Sequence, residues 1–220
     1  MIFQNGERIL FTGDSVTDMG RKHPVGEGSD EALGNNYVRI LDGFFSVWYP
    51  DKKLHIMNTG ISGNTSRDLL ARFNTDVVAL CPDWVSILIG INDVWRQFDT
   101  PVIPETHVLP EEYAKNVEQM IYAAKACSKG VFLMTPYYME PNQNDLMRAR
   151  MNEYGVICKN LATRYDCKLI DLQAAFDRYF CYRHSSYVAW DRVHPNFTGA
   201  MIIAREFLKH CEFDYAAALV

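Results

Sequence analysis

"ILFTGDSVTDMG", residues 9–20, runs an apolar stretch straight into Gly13-Asp14-Ser15. Gly, Asp and Ser are common turn formers, so one reading is a strand end followed by a turn. The other is a serine nucleophile set at the mouth of a sheet. The residues that succeed the other apolar runs of the chain decide between them.

Five such runs read as strands: "RILFTG", "LHIMNTG", "WVSILIG", "VFLMTP" and "KLIDL". They are nearly continuous in Ile, Leu, Val and Phe, as expected of parallel strands buried on both faces. Helical patterns lie between them. "NNYVRILDGFFSVWYP" stops at Pro50, and "TSRDLLARFNTDVVAL" opens on a Thr or Ser able to cap it. "LPEEYAKNVEQMIYAAKACSKG" carries acids in its first turn and lysines in its last. "NDLMRARMNEYGVICKNLATRYD" and "TGAMIIAREFLKHCEF" complete the set. Strands alternating with helices predict an open α/β sheet with right-handed crossovers. Residues 16–34, with four glycines, and 96–110, with three prolines, read as long irregular stretches.

The 220 residues, 48% hydrophobic, suit one domain spanning residues 1–220. A net charge of −5 with no basic block argues against nucleic acid as a partner. No apolar segment approaches the length of a membrane span, and the first residues lack the pattern of a signal peptide. The six cysteines show no C-x-x-C pair and no metal-ligand spacing. Reduced cysteines in a cytoplasmic protein are the expectation.

Ligands of open α/β sheets bind outside the carboxyl ends of the strands. There the sequence places Gly13-Asp14-Ser15, then "GISGNTSRD" with Gly63, then "GINDVWRQ" with Asn92 and Asp93, then "TPYYMEPN"; "WDRVHPN", with Asp191 and His194, comes late in the chain. Each alone has a dull explanation as a turn, a surface pair or a cap. Together they supply complementary chemistry. A serine hydroxyl needs a base such as His194, and the base needs an orienting acid such as Asp191. Acyl transfer also needs donors for the developing oxyanion, which the amides of Ser15 and Gly63 and the side chain of Asn92 can provide.

Four blocks in this order, Ser15 in "GDS", Gly63 in "ISGNT", Asn92 in "GIND" and His194 in "DRVHP", resemble the SGNH or GDSL hydrolase family. The chain is most similar to its bacterial acetyl-xylooligosaccharide esterases along its full length. The resemblance implies a three-layer α/β/α sandwich of flavodoxin-like type on a five-stranded parallel sheet. It also implies hydrolysis without a metal or other cofactor, and acetylated short sugars as substrates. Members of this kind often form homo-oligomers, although no interface is legible in the sequence.

Asp14 and Asp93, each beside a motif residue, read as structural acids. Trp95 and Trp190 adjoin Asn92 and Asp191; core packing and a wall of the substrate pocket are the two readings. Among rival functions, a metallophosphoesterase lacks its D-x-H on the first strand and a late H-x-H. An α/β-hydrolase lacks G-x-S-x-G. A non-catalytic carbohydrate-binding module has no need of triad and oxyanion residues together. A thioesterase or lysophospholipase keeps the same serine chemistry with a longer acyl chain, and stays open at this point.

Overall fold

The computed structural model describes residues 1–217. Five strands form one wholly parallel sheet in the order β2-β1-β3-β4-β5: β1 Arg8–Gly13, β2 His55–Asn58, β3 Trp84–Leu88, β4 Gly130–Met134 and β5 Lys168–Ile170. After β1 come α1 (Ser15–Asp18), a single turn, and α2 (Tyr37–Trp48). Then follow α3 (Ser66–Asp76), α4 (Ile91–Asp99), α5 (Pro110–Cys127), α6 (Leu146–Arg164), α7 (Leu172–Phe180) and α8 (Phe197–His210).

The strands are buried on both faces because alternate side chains feed two separate cores. Ile9, Phe11, Phe132 and Met134 face α2, α7 and α8, where Phe207 lies 5.1 Å from Phe11 and 4.6 Å from Phe132 between ring centroids. Leu10, Val85, Ile87, Val131 and Leu133 face α3, α5 and α6, meeting Leu69, Phe73, Val117, Met120, Met151 and Tyr154. Two apolar layers on one parallel sheet give the three-layer sandwich. Among the described residues no helix is long and apolar enough to cross a membrane.

Two elements depart from the sequence reading. Residues 91–99 form α4, so the first part of the supposed irregular stretch at 96–110 is helix. The segment after β5 continues as α7, capped by Asp171, whose side chain accepts from the Ala174 amide. Both helices are only nine residues long, and their apolar spacing is too short to stand out from the flanking strands. Residues 16–34 are mostly irregular, as expected, apart from the α1 turn and a 3-10 turn at Asp30–Leu33.

Chain order fixes where a ligand can sit. The connection from β1 goes to one neighbour, β2, and the chain then crosses to the other, β3, so the crevice lies between the ends of β1 and β3. The two ends approach closely. A Cβ on Gly13 would lie 2.1 Å from the Leu88 carbonyl oxygen and 2.8 Å from Thr17 Oγ1. Gly13→Ala is therefore expected to destabilise the fold by at least ~2 kcal/mol, read from urea unfolding. A variant as stable as the parent would contradict the close approach.

Candidate active site

Ser15 is delivered to this crevice by the first turn after β1. Asp14 is the N-cap of α1; its Oδ1 accepts from the Val16 amide at 2.9 Å, and the one-turn helix holds Ser15 at its start. From the far end of the chain, His194 reaches the same point, and its Nε2 stands 2.8 Å from Ser15 Oγ. The other ring nitrogen, Nδ1, is 2.5 Å from Asp191 Oδ2.

The Asp191-x-x-His194 spacing works because the turn is closed on itself. Asp191 Oδ1 accepts from the amides of Val193 (3.0 Å) and His194 (2.8 Å), leaving Oδ2 for the ring. Burial alone would raise the Asp191 carboxyl. The hydrogen bonds from the His194 ring and from the His194 and Val193 amides together outweigh it and hold the group below its usual range. Asp191 therefore stays ionised and orients the ring. The loop after β4 anchors this turn: the Met139 amide donates to the Arg192 carbonyl at 2.8 Å, Tyr137 OH donates to that of Val193, and Glu140 pairs with Arg192 at 2.6 Å. That is the use of "TPYYMEPN", which the sequence showed only as a polar strand end.

The sequence reading assigns three donors to the oxyanion: the Ser15 amide, the Gly63 amide and the Asn92 side chain. The amides of Ser15 and Gly63 have no acceptor among the described residues. Gly63 adopts φ +83°, where L side chains are strained, and this conformation, rather than lack of room, is its requirement: a Cβ there would meet nothing within 4 Å. Asn92 lies in the first turn of α4, and its Nδ2 gives one proton to the Asn64 carbonyl at 2.9 Å, leaving the second. A serine, a base, an oriented acid and three donors can carry out acyl transfer through a tetrahedral intermediate.

Asp14 and Asp93 are both fully buried, and burial pushes each carboxyl up to about 7. Asp93 fastens α4 to α3: its oxygens accept from the Ser66 amide at 2.9 and 3.0 Å and from Ser66 Oγ at 2.5 Å. Both acids are structural, as the sequence reading had it. Residues not singled out in the sequence also shape the site. Asp18 Oδ2 accepts from the amide and hydroxyl of Ser62, and Arg72 binds the end of β1 at Gly13 and two loop groups, the Thr59 carbonyl and Asn64 Oδ1. Arginine and aspartate at helical positions carry no local signal of such roles.

The two tryptophans part company. Trp95 is half-buried with its ring centroid 6.0 Å from that of His194, and Arg96 stacks its guanidinium 5.0 Å from the Trp95 ring. Trp190 is 87% exposed, so core packing does not apply to it. The bridge pairing Ala189 with Pro195 buries both of those residues and turns the intervening Trp190 outward.

A model of the GDSL-like lipase/acylhydrolase family matches residues 11–202. The chain belongs to that family. As a GDSL-like acylhydrolase it is an ester hydrolase. It is 47% identical to an acetylxylan esterase of Geobacillus stearothermophilus over 211 residues, covering 96% of each chain. The crystal structure of that organism's acetylxylan esterase Axe2 superposes with a TM-score of 0.97 at 46% identity, covering 100% of both chains. Solved structures of Axe2 include the catalytic mutants S15A, D191A and H194A; the first matches at 45% identity, TM-score 0.97 and full coverage of both chains.

If Asp14 is held near 7 when folded and near 3.8 when unfolded, the folded state binds the extra proton between those values. Stability from this group is then greatest at acid pH and falls as pH rises from about 4 to about 7. Asp14→Asn keeps a capping oxygen and removes the titration. Its stability relative to the parent is expected to improve across that window by up to ~1.4 kcal/mol per pH unit, measured by denaturant unfolding at several pH values. Parallel curves would place the proton elsewhere.

Proposed function

We propose that this esterase removes acetyl groups from xylo-oligosaccharides or closely related short sugars through an acetyl-enzyme on Ser15. The observation that carries the reading is the unbroken relay from Ser15 Oγ through His194 to Asp191, at 2.8 and 2.5 Å. The likeness to an acetylxylan esterase supports the substrate, and the catalytic mutants of Axe2 support the three residues.

In the first step Ser15 Oγ attacks the acetyl carbonyl carbon while His194 Nε2 takes the hydroxyl proton. Negative charge gathers on the carbonyl oxygen, where the Ser15 and Gly63 amides and the Asn92 amide group meet it. The position of Asn92 in the first turn of α4 places the positive end of that helix near the same charge. Collapse expels the sugar oxygen, which takes its proton from His194. Water then attacks the acetyl-serine with His194 again as base, releasing acetate and restoring Ser15. Asp191, ionised throughout, holds the ring tautomer that both half-reactions need.

Trp95, its ring centroid 6.0 Å from that of His194, is assigned to the acyl side of the pocket as the bulk that limits the acyl group to a short one. On another side a cleft of about 670 Å³ opens, lined by Met19, Asn35, Arg39, Gly43, Asn196 and Phe197 among others. Two of its lining residues are tied to the triad through the backbone: the Met19 amide donates to the Ser15 carbonyl, and Pro195 follows His194 in the chain. Amide groups, a guanidinium and a Phe197 ring 70% exposed suit sugar hydroxyls and a ring face better than an acyl chain. Trp190 offers a second exposed aromatic face for a sugar.

Ser15→Ala is expected to leave a folded protein with activity lower by about 10³–10⁶-fold, and a serine-directed inhibitor should label Ser15 in the parent. Substantial activity in the alanine variant would remove the covalent mechanism. For substrate choice, kcat/KM is expected to fall steeply from acetyl through butyryl to octanoyl esters of one alcohol, with acetylated xylo-oligosaccharides cleaved readily. Each added methylene would favour binding by ~0.8 kcal/mol in an extended apolar channel. Rates that rise with chain length would point instead to a lysophospholipase or thioesterase.

A further inference from the structure

We propose that Arg72 and Asn64 are positioning residues that fix the spacing of the three oxyanion donors, the Arg72 guanidinium linking the end of β1, the end of β2 and the loop carrying Gly63. The inference rests on the reading of Ser15, Gly63 and Asn92 as those donors.

The guanidinium projects from the second turn of α3 and is largely buried, with a side-chain exposure of 14%. Its Nη2 donates to the carbonyl of Gly13 at 3.0 Å, two residues before Ser15. Its Nη1 donates to the carbonyl of Thr59 at 2.7 Å, just beyond β2, and to Asp76 Oδ2 at 2.9 Å. Its Nε donates to Asn64 Oδ1 at 2.7 Å. Asn64 follows Gly63 directly, and its carbonyl accepts the Asn92 side-chain amide at 2.9 Å. Thus the segment before the Ser15 amide, the residue after the Gly63 amide and the Asn92 amide group are joined through two side chains. A planar fork with several fixed donors can set such distances, whereas a lysine ammonium brings all its donors to one point.

The helix bearing Arg72 does not need these bonds to form or dock. Thr65 and Asp68 make a capping box at its start, Ser66 is tied to Asp93, and Leu69 and Phe73 bury its apolar face. The end of β1 is also held without Arg72, since the Ile61 amide donates to the Gly13 carbonyl at 3.1 Å. Three of the four guanidinium bonds go to strand ends or loop groups around the site, and the fourth to Asp76 neutralises the charge within the helix. A buried arginine spent in this way serves the relative placement of the loops more than the folding of α3.

Positioning of this kind acts on the transition state, because the oxyanion is fully formed only there. The test uses a small chromogenic acetate ester and compares Arg72→Lys, Asn64→Leu, Asn64→Asp and the double variant Arg72→Lys/Asn64→Leu, with folding checked by circular dichroism and Tm. Arg72→Lys and Asn64→Leu are each expected to lower kcat by about 10- to 100-fold, the scale of an ångström-sized misplacement. KM should stay within about twofold. Asn64→Asp keeps an acceptor for Nε and should recover most of the loss. The double variant should lose much less than the product of the two single losses, because both remove one link. Folded variants with unchanged kcat, or a loss confined to KM, would overturn the proposal, as would a lowered Tm with full activity per folded molecule. Ser15→Ala in the same assay separates the two readings: if it stays active, the assignment of the site fails; if it is inactive while Arg72→Lys is normal, only the positioning role fails.

Discussion

The 2.8 Å contact between Ser15 Oγ and His194 Nε2 joins residues 179 positions apart, one at the end of the first strand and the other just before the last helix. Neither residue has any use without the other. A hydroxyl lacks the basicity to lose its proton at neutral pH unaided, and a histidine beside an aspartate is otherwise an ordinary surface pair. For the contact to exist, β1 must lie central in the sheet and α8 must pack beside α2 on one face. Phe207 meets that demand by packing against Phe11 and Phe132, both on the sheet face that α8 covers. The large apolar core on this face is therefore the frame on which the nucleophile and its base meet.

A second constraint is electrostatic. Two carboxyl groups, Asp14 and Asp93, are buried beside catalytic neighbours, and each is pushed towards neutrality by loss of water. A third, Asp191, is partly buried yet stays below its usual range because hydrogen bonds converge on it. The difference lies first in depth of burial, complete for Asp14 and Asp93 and partial for Asp191, and then in partners. Asp191 accepts from a histidine ring and two amides, while Asp14 accepts from the Val16 amide and feels the like charge of Asp93. One family of side chains thus gives a permanent anion where a base needs orienting and near-neutral groups where loops need tying.

The loops around the site are tied down for a related reason. Asn36 and Asn58 both send their side-chain amides into the carbonyls of Thr17 and Leu33, and Arg21 donates to Gly60, Lys22 and Pro24. These buried amides and guanidinium groups satisfy backbone carbonyls that strands and helices leave over in a long connection. The glycine-rich stretch after β1 is consequently ordered by side chains drawn from three different segments. A pocket assembled from loops acquires the precision of a scaffold in this way.

The sequence by itself determined the sheet and the chemistry. Short, nearly continuous apolar runs alternating with helical patterns read as two-sided parallel strands, and Ser15, Gly63, Asn92 and Asp191-x-x-His194 each follow a strand end or a turn whose residue types announce it. The short spacing of Asp191 and His194 even dictated their local geometry, because a single turn can deliver both bonds. What only the tertiary structure decided depends on contacts between distant segments. Arg72 looks like any helical arginine until β1, β2 and the Gly63 loop surround it. Trp190 and Trp95 have the same side chain beside equally telling motifs, yet a backbone bridge turns one to solvent while helix α4 sets the other against His194. Local residue type and spacing encode which groups react; the three-dimensional crossing of strands and loops sets how far apart they stand.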